Sequence, residues 1–217
     1  RATPKWQFGF VYQNKTEGDY ENGTLVLDQS SIGLGKVSYD ATVDNFTWPE
    51  EFGIGVQFRP TPNWMIALDV KEYKWSDAIT LIEVSGTNPS DPNAPPSPVL
   101  PFNFDWKDQT VAMLGLEYRL GETYTFRGGF NHGASPVPDD TLNPLFPATL
   151  EDHLTFGLGY NWGAGNTFNF AIERAFEATQ TNSNTNPQTD PFAGSTISHS
   201  QWTVSLGYSK AFARKKK

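Results

Sequence analysis

Arg59, Asp69, Lys71, Glu117, Arg119, Arg127 and Glu173 share one parity, within stretches that alternate bulky apolar side chains with small or polar ones. Arginine offers a planar pair of donors to a carboxylate, so Arg59, Arg119 or Arg127 could receive the acidic group of a ligand. The same set carries both signs in what should be a confined space. Such charges more often pair with one another, which makes a structural network the competing reading. A second candidate is apolar. Leu142, Leu145, Phe146 and Leu150, with Val99, Leu100, Phe102 and Phe104, interrupt otherwise polar segments and suit either an external apolar groove or the packing of loops on each other. His199 and Ser200 are sequence neighbours and His132 lies close to Ser135. Adjacent residues on a strand point apart, and no third orienting group is evident, so Ser–His chemistry is not expected. Asp139, Asp140, Glu151 and Asp152 lack the spacing of a dedicated cation loop and read as solvated acids. The expectation is therefore binding without covalent chemistry, with no catalytic residue, no metal and no cofactor.

The elements that must position these residues are strands. Trp6, Phe8, Phe10 and Tyr12 share one face while Gln7, Gly9, Val11 and Gln13 share the other, because successive side chains of a strand point to opposite sides. The split recurs in Phe52, Ile54, Val56 and Phe58 against Gly53, Gly55, Gln57 and Arg59, in Leu114 to Leu120, in Leu154 to Trp162 and in Trp202 to Tyr208. Period two predicts eight strands at about 5–15, 36–59, 63–75, 105–120, 123–132, 152–162, 166–176 and 200–212. Pro49 predicts a kink in the second, separating an upper extension (Val37, Tyr39, Ala41, Val43) from the rest. Tight turns at Thr3-Pro4-Lys5-Trp6, Thr61-Pro62-Asn63-Trp64, Gly121-Glu122-Thr123 and Gly163-Ala164-Gly165 alternate with long segments, 16–35, 76–104, 133–151 and 177–199, which read as loops. Residues 88–101 hold six prolines and 177–191 are rich in Thr, Asn and Gln, so neither suits a central strand. Short turns on one side and long loops on the other are the layout of an outer-membrane barrel. The second face is built largely of glycine with a few charged and amide side chains. That suits a narrow hydrated lumen better than a water-facing surface, whereas a soluble β domain with aromatic core stripes would show Lys, Glu and Thr there. Trp6, Trp64, Tyr124, Trp162 and Trp202 are placed to form interfacial girdles.

Composition sets the outer limits. The 217 residues contain no cysteine, 16 prolines, 19 glycines, 16 Phe, 8 Tyr and 7 Trp, consistent with one large β domain. No apolar run approaches the roughly 18 residues of a transmembrane helix, while a spanning strand needs only about 9 to 11 with every second one apolar. A mean hydropathy of −0.49 is compatible with that pattern. A net charge of −8 argues against a nucleic-acid partner, and the basic cluster at 213–217 reads as a tail.

At this point the residues resemble a family. Glu51-Phe52-Gly53-Ile54-Gly55-Val56-Gln57-Phe58-Arg59-Pro60-Thr61-Pro62-Asn63-Trp64, Trp106-Lys107-Asp108, Tyr124-Thr125-Phe126-Arg127-Gly128-Gly129-Phe130 and Ser135-Pro136-Val137-Pro138-Asp139 look like the FadL-type long-chain fatty acid transporters of Gram-negative outer membranes. The resemblance implies an all-β, antiparallel up-and-down transmembrane β-barrel, of which this chain resembles the last eight of fourteen strands. It implies capture of a hydrophobic ligand, such as a fatty acid or detergent, among extracellular loops and passage through a lumenal pocket. The exit in such transporters is sideways, at a kinked early strand, after an N-terminal plug shifts; plug and kink would both precede Arg1. Phe102, Phe104, Leu142, Leu145, Phe146, Arg59, Arg119 and Arg127 are the candidate ligand-binding residues. The ending Leu206 to Phe212 resembles the signal strand that barrel assembly machinery reads, and Ala213 to Lys217 depart from it. The expected setting is the outer membrane, in contact with its lipid, long loops extracellular and both termini periplasmic. An even strand number predicts that residues 1–212 close as an eight-stranded barrel if the chain occurs alone. The alternative is a truncated or engineered structural barrel, filled by its own charge network, that does not transport.

Overall fold

A computed structural model describes residues 3–211, so Phe212 and the basic tail at 213–217 lie outside the described residues. Among the described residues, twelve strands form two antiparallel sheets. The first contains eight strands: β1 (Trp6–Gln13), β4 (Glu51–Phe58), β5 (Trp64–Tyr73), β8 (Gln109–Leu120), β9 (Tyr124–Gly133), β10 (Asp152–Gly163), β11 (Asn166–Thr181) and β12 (Thr196–Lys210), hydrogen-bonded in that order. The second contains β2 (Thr16–Asp28), β3 (Lys36–Trp48), β6 (Leu81–Thr87) and β7 (Val99–Asn103).

The eight-stranded sheet follows the alternation. Trp6, Phe8, Phe10 and Tyr12 stand opposite Phe58, Val56, Ile54 and Phe52, and Leu154, Phe156, Leu158 and Tyr160 opposite Phe130, Gly128, Phe126 and Tyr124. The resulting apolar face is bare: Phe10 is 72% exposed, Leu206 69% and Ile54 65%. A face of this extent would collapse or associate in water, so its natural neighbour is hydrocarbon. The opposite face pairs Gly9 with Gly55 and Gly115 with Gly129.

Three reversals are short and share one end of this sheet. In β4–β5, Thr61 Oγ1 accepts from the Trp64 amide at 3.2 Å, as Thr3 Oγ1 does from the Trp6 amide at 3.0 Å ahead of β1. The β10–β11 turn runs through positive φ at Gly163 (87°), Ala164 (49°) and Gly165 (75°). Gly165 is needed twice over, because a Cβ there would also lie 2.5 Å from the Ala211 carbonyl oxygen.

The long segments differ from the expectation of plain loops. Residues 16–35 contain β2, residues 76–104 contain β6 and β7, and within 177–199 β11 continues to Thr181 while β12 begins at Thr196. Strand pairing outlasts the apolar alternation there because these hairpins leave the apolar zone, and nothing then requires every second residue to be greasy. The predicted second strand, 36–59, is two strands in two sheets, broken at Pro49-Glu50 as its proline dictated. Pro101 sits in β7, an edge strand paired only with β6, where a missing amide donor costs nothing.

The four-stranded sheet and the long connections form a cap with its own core. Ala78, Ile79, Ile82, Phe104, Trp106, Val137 and Leu142 are buried together, and Val37, Tyr39 and Ala94 form a smaller cluster. One expectation fails: β1 pairs only with β4 and β12 only with β11, so the eight-stranded sheet is not closed on itself among the described residues. Strand number and period two say nothing about shear, and shear decides whether a sheet's ends meet.

Candidate functional site

Two groups of candidate residues occupy different levels of the molecule. On the glycine-rich face, Glu117 of β8 is 7% exposed and receives two guanidiniums. Arg119 reaches Oε1 at 2.8 Å and Arg127 Nε donates to Oε2 at 3.0 Å. Arg127 can lie flat because β10 offers no side chains beneath it: Cβ atoms at Gly157 and Gly159 would sit 3.4 and 3.3 Å from Arg127 atoms. Its Nη1 extends over β10 to Asn169 on β11 at 3.5 Å. Arg119 and Arg127 are thus brought together, but Arg59 is not; its guanidinium lies 3.2 Å from Met65 Sδ. Nearer the long-loop end the same face carries Lys71 on Glu51 at 2.6 Å and His153 Nδ1 beside Glu173 at 3.3 Å. Two arginines around one carboxylate leave a surplus positive charge, with guanidinium edges still about half exposed.

The apolar candidates lie in the cap. Leu142 is wholly buried and Phe104 is 1% exposed, both in the main cluster, with Phe102 packed partly against it. Phe146 meets Phe104 edge-on at 5.2 Å and remains exposed, as does Leu145. Phe102 also borders a cavity of about 270 Å³ with Asn103, Asp140, Asn143, Asp190 and Phe192.

His132 pairs with Asp152 at 2.8 Å, and Ser135 Oγ approaches the Ala148 carbonyl and Gln180. No group of three or more metal-competent side chains occurs among the described residues.

Several structural residues escaped the sequence reading. Asp108 ties the start of the cap to its end: Oδ2 takes Lys74 Nζ at 2.8 Å, and Oδ1 accepts from Ser76 Oγ at 2.7 Å and from the Ser76 amide. Lys74 and Ser76 hold the Asp108 carboxyl below the usual carboxylate range, and Asp108 with Glu72 holds the Lys74 ammonium above its own. Trp75 and Trp106, flanking this strap, meet edge-on at 5.1 Å. Trp106-Lys107-Asp108 stood out as a motif, but the partners of Asp108, 34 and 32 residues upstream, carried no local signal.

Residues 2–212 match the family described as outer membrane protein transport protein (OMPP1/FadL/TodX). The chain belongs to this family. Its proteins are transport proteins of Gram-negative outer membranes and not enzymes. Alkane uptake protein A of Marinobacter nauticus is 28% identical over 155 residues, which are 71% of this chain and 32% of that protein. Among solved structures, the TodX deltaS2S3 mutant monoaromatic hydrocarbon channel matches 98% of this chain with 48% of its own, at 25% identity and a TM-score of 0.76. The Ralstonia pickettii toluene transporter TbuX matches 97% of this chain with 45% of its own, at 22% identity and a TM-score of 0.68. This chain therefore spans about half the length of these structures and a third of the alkane uptake protein.

Proposed function

We propose that the eight-stranded sheet is part of the wall of an outer-membrane barrel through which small hydrophobic solutes pass, with no covalent step. The observation that carries this is the pairing of a bare aromatic and aliphatic face with a glycine-rich face that holds only a sparse charge network. Hydrocarbon covers the first; the second lines a lumen. In this reading the long connections and the cap face the exterior and the short turns the periplasm, and barrel assembly machinery inserts the strands. Leu145 and Phe146 offer the exposed apolar receiving surface, with Phe102 at its margin, while Phe104 and Leu142, buried beneath, support it and do not touch the solute. Arg119 and Arg127 present their surplus charge to any acidic head group. Arg59, just past the end of β4 and apart from that pair, is a separate candidate for the same head group. Alkanes, single-ring aromatics and fatty acids are the solute classes that fit, by analogy with the proteins matched above.

The test is uptake of radiolabelled hexadecane, toluene and oleate by cells whose outer membrane carries the chain, against cells without it. Saturable uptake of at least one supports the reading. Uptake of none, with the chain shown in the outer membrane, sinks it.

A further inference from the structure

The cleft of about 270 Å³ in the cap is walled by parts of 101–103, 140–143 and 184–192, and includes Phe102 and Phe192. Its polar side chains are of two kinds. Asp140 and Asp190 can only accept, and no Lys or Arg belongs to the wall or to residues 177–199. Asp190 is held in place, taking the Phe192 amide at 2.8 Å and Asn182 Nδ2 at 2.7 Å. Asp140 is exposed and makes no hydrogen bond or ion pair with any described residue.

Asn143 and Asn184 supply donors. Asn143 is 5% exposed, and its Oδ1 is occupied by the Leu145 amide at 2.9 Å. Its Nδ2 has no partner, yet it is not one of the six polar side-chain atoms sealed from solvent without one among the described residues. The surface that this amide keeps therefore opens into the cleft that Asn143 lines. Asn184, half-buried, likewise gives its Oδ1 to the Asn186 amide at 3.0 Å and keeps its own N–H groups unspent.

Unspent donors beside an unspent carboxylate disfavour two ligand classes. A plain hydrocarbon would strip water from an amide and a carboxylate and return nothing. A carboxylate or phosphate would meet Asp140 and Asp190 with no cation to offset them. A hydroxyl both donates and accepts, so neighbouring hydroxyls on one ring meet both kinds of side chain at once. The C–H face of a sugar ring is apolar and packs on phenyl rings, which gives Phe102 and Phe192 a task in a wall otherwise rich in Asn, Asp and Thr. A volume just under the roughly 300 Å³ at which ligand pockets usually begin suits one such ring.

We infer that this cleft binds one neutral sugar ring, its hydroxyls accepting from Asn143 and Asn184 and donating to Asp140. The site goes beyond passage of hydrophobic solutes and does not rest on it. Two sources share the chemistry: a free saccharide, and the glycan of a membrane glycolipid. The chain in a sugar-free detergent is titrated with the methyl α-glycosides of glucose, galactose and N-acetylglucosamine, read by saturation-transfer NMR on the glycoside protons. At least one should give a saturable signal, and glucuronate a weaker one that recovers towards it as salt screens the two acids. Asn143→Asp keeps the acceptor for the Leu145 amide and removes the donor, while Asp140→Asn disturbs no contact. Each should weaken binding about three- to tenfold, the worth of one hydrogen bond.

No saturable glycoside signal from the folded chain would overturn the inference. So would unchanged affinity in both variants, or saturable toluene binding at the cleft without any glycoside signal. Should Asn143→Asp not fold, Asp140→Asn still decides. Repeating the titration in phospholipid vesicles with and without lipopolysaccharide separates the sources. Suppression of the glycoside signal by lipopolysaccharide supports the site with the membrane's own glycan as occupant, and an unchanged signal supports it with a free saccharide.

Discussion

Glu117 has one carboxylate oxygen for each of two guanidiniums, and its removal would leave both cations without their shared partner. Glu117→Gln keeps the shape and is expected to lower stability by about 1–2 kcal/mol. That is less than the 3–5 typical of a broken buried pair, because each arginine keeps nearly half its surface exposed. The midpoint of urea unfolding in detergent measures it, and an unchanged midpoint would show that solvent already compensates the pair. Gly159→Ala puts a methyl 3.2 Å from Asn169 Oδ1 and 3.3 Å from Arg127 Nη1, so it should release the Arg127 end of the ladder at a cost below about 1 kcal/mol. At this scale the sequence made the facing of the charges legible, since strand parity alone assigns Glu117, Arg119 and Arg127 to one side. It did not reveal who meets whom. Pairing depends on register, and register left Arg59 against a methionine while uniting the other two.

The Asp108 strap is one of the polar links between the cap and the large sheet, beside that of Gln180 on β11 to Val137 and Asp139. A carboxyl held below its ordinary pKa contributes fully above the unfolded value, near 4, and loses that contribution as pH falls through the lower folded value. Lys74 is held above its ordinary value, so its contribution is complete below about 10.5 and fades only at higher pH. The strap should thus stand unchanged from about pH 5 to 9 and open in stronger acid. Asp108→Asn should reproduce the acid state at neutral pH, seen as several-fold faster proteolysis within residues 76–107 and loss of its dependence on pH below 4. Resistance equal to wild type would mean that the aromatic packing of Trp75 and Trp106 suffices. The eight strands of the large sheet could be read from alternation, and the break at Pro49 from the proline. The strands β2, β6 and β7 could not, because Glu17 to Gly23 and Glu83 to Thr87 carry no regular apolar beat; their pairing is decided by partners in the cap.

On the scale of the molecule, the apolar face should behave as a membrane surface. Leu206→Arg places a charge among lipid tails and is expected to cost about 2–4 kcal/mol in folding into lipid vesicles. Ser205→Arg, one residue away on the glycine-rich face, should cost much less. Equal penalties would mean that the two faces have been assigned to the wrong environments. The open ladder between β1 and β12 was not legible, because the alternation that identifies strands carries no information on how many complete a ring. Under the proposed wall reading, those two edges separate size from chemistry. A barrel's bore widens with each strand added to its circumference, so strands joining β1 to β12 would set how bulky a solute could travel. The strands described here would set what chemistry that solute meets on the way.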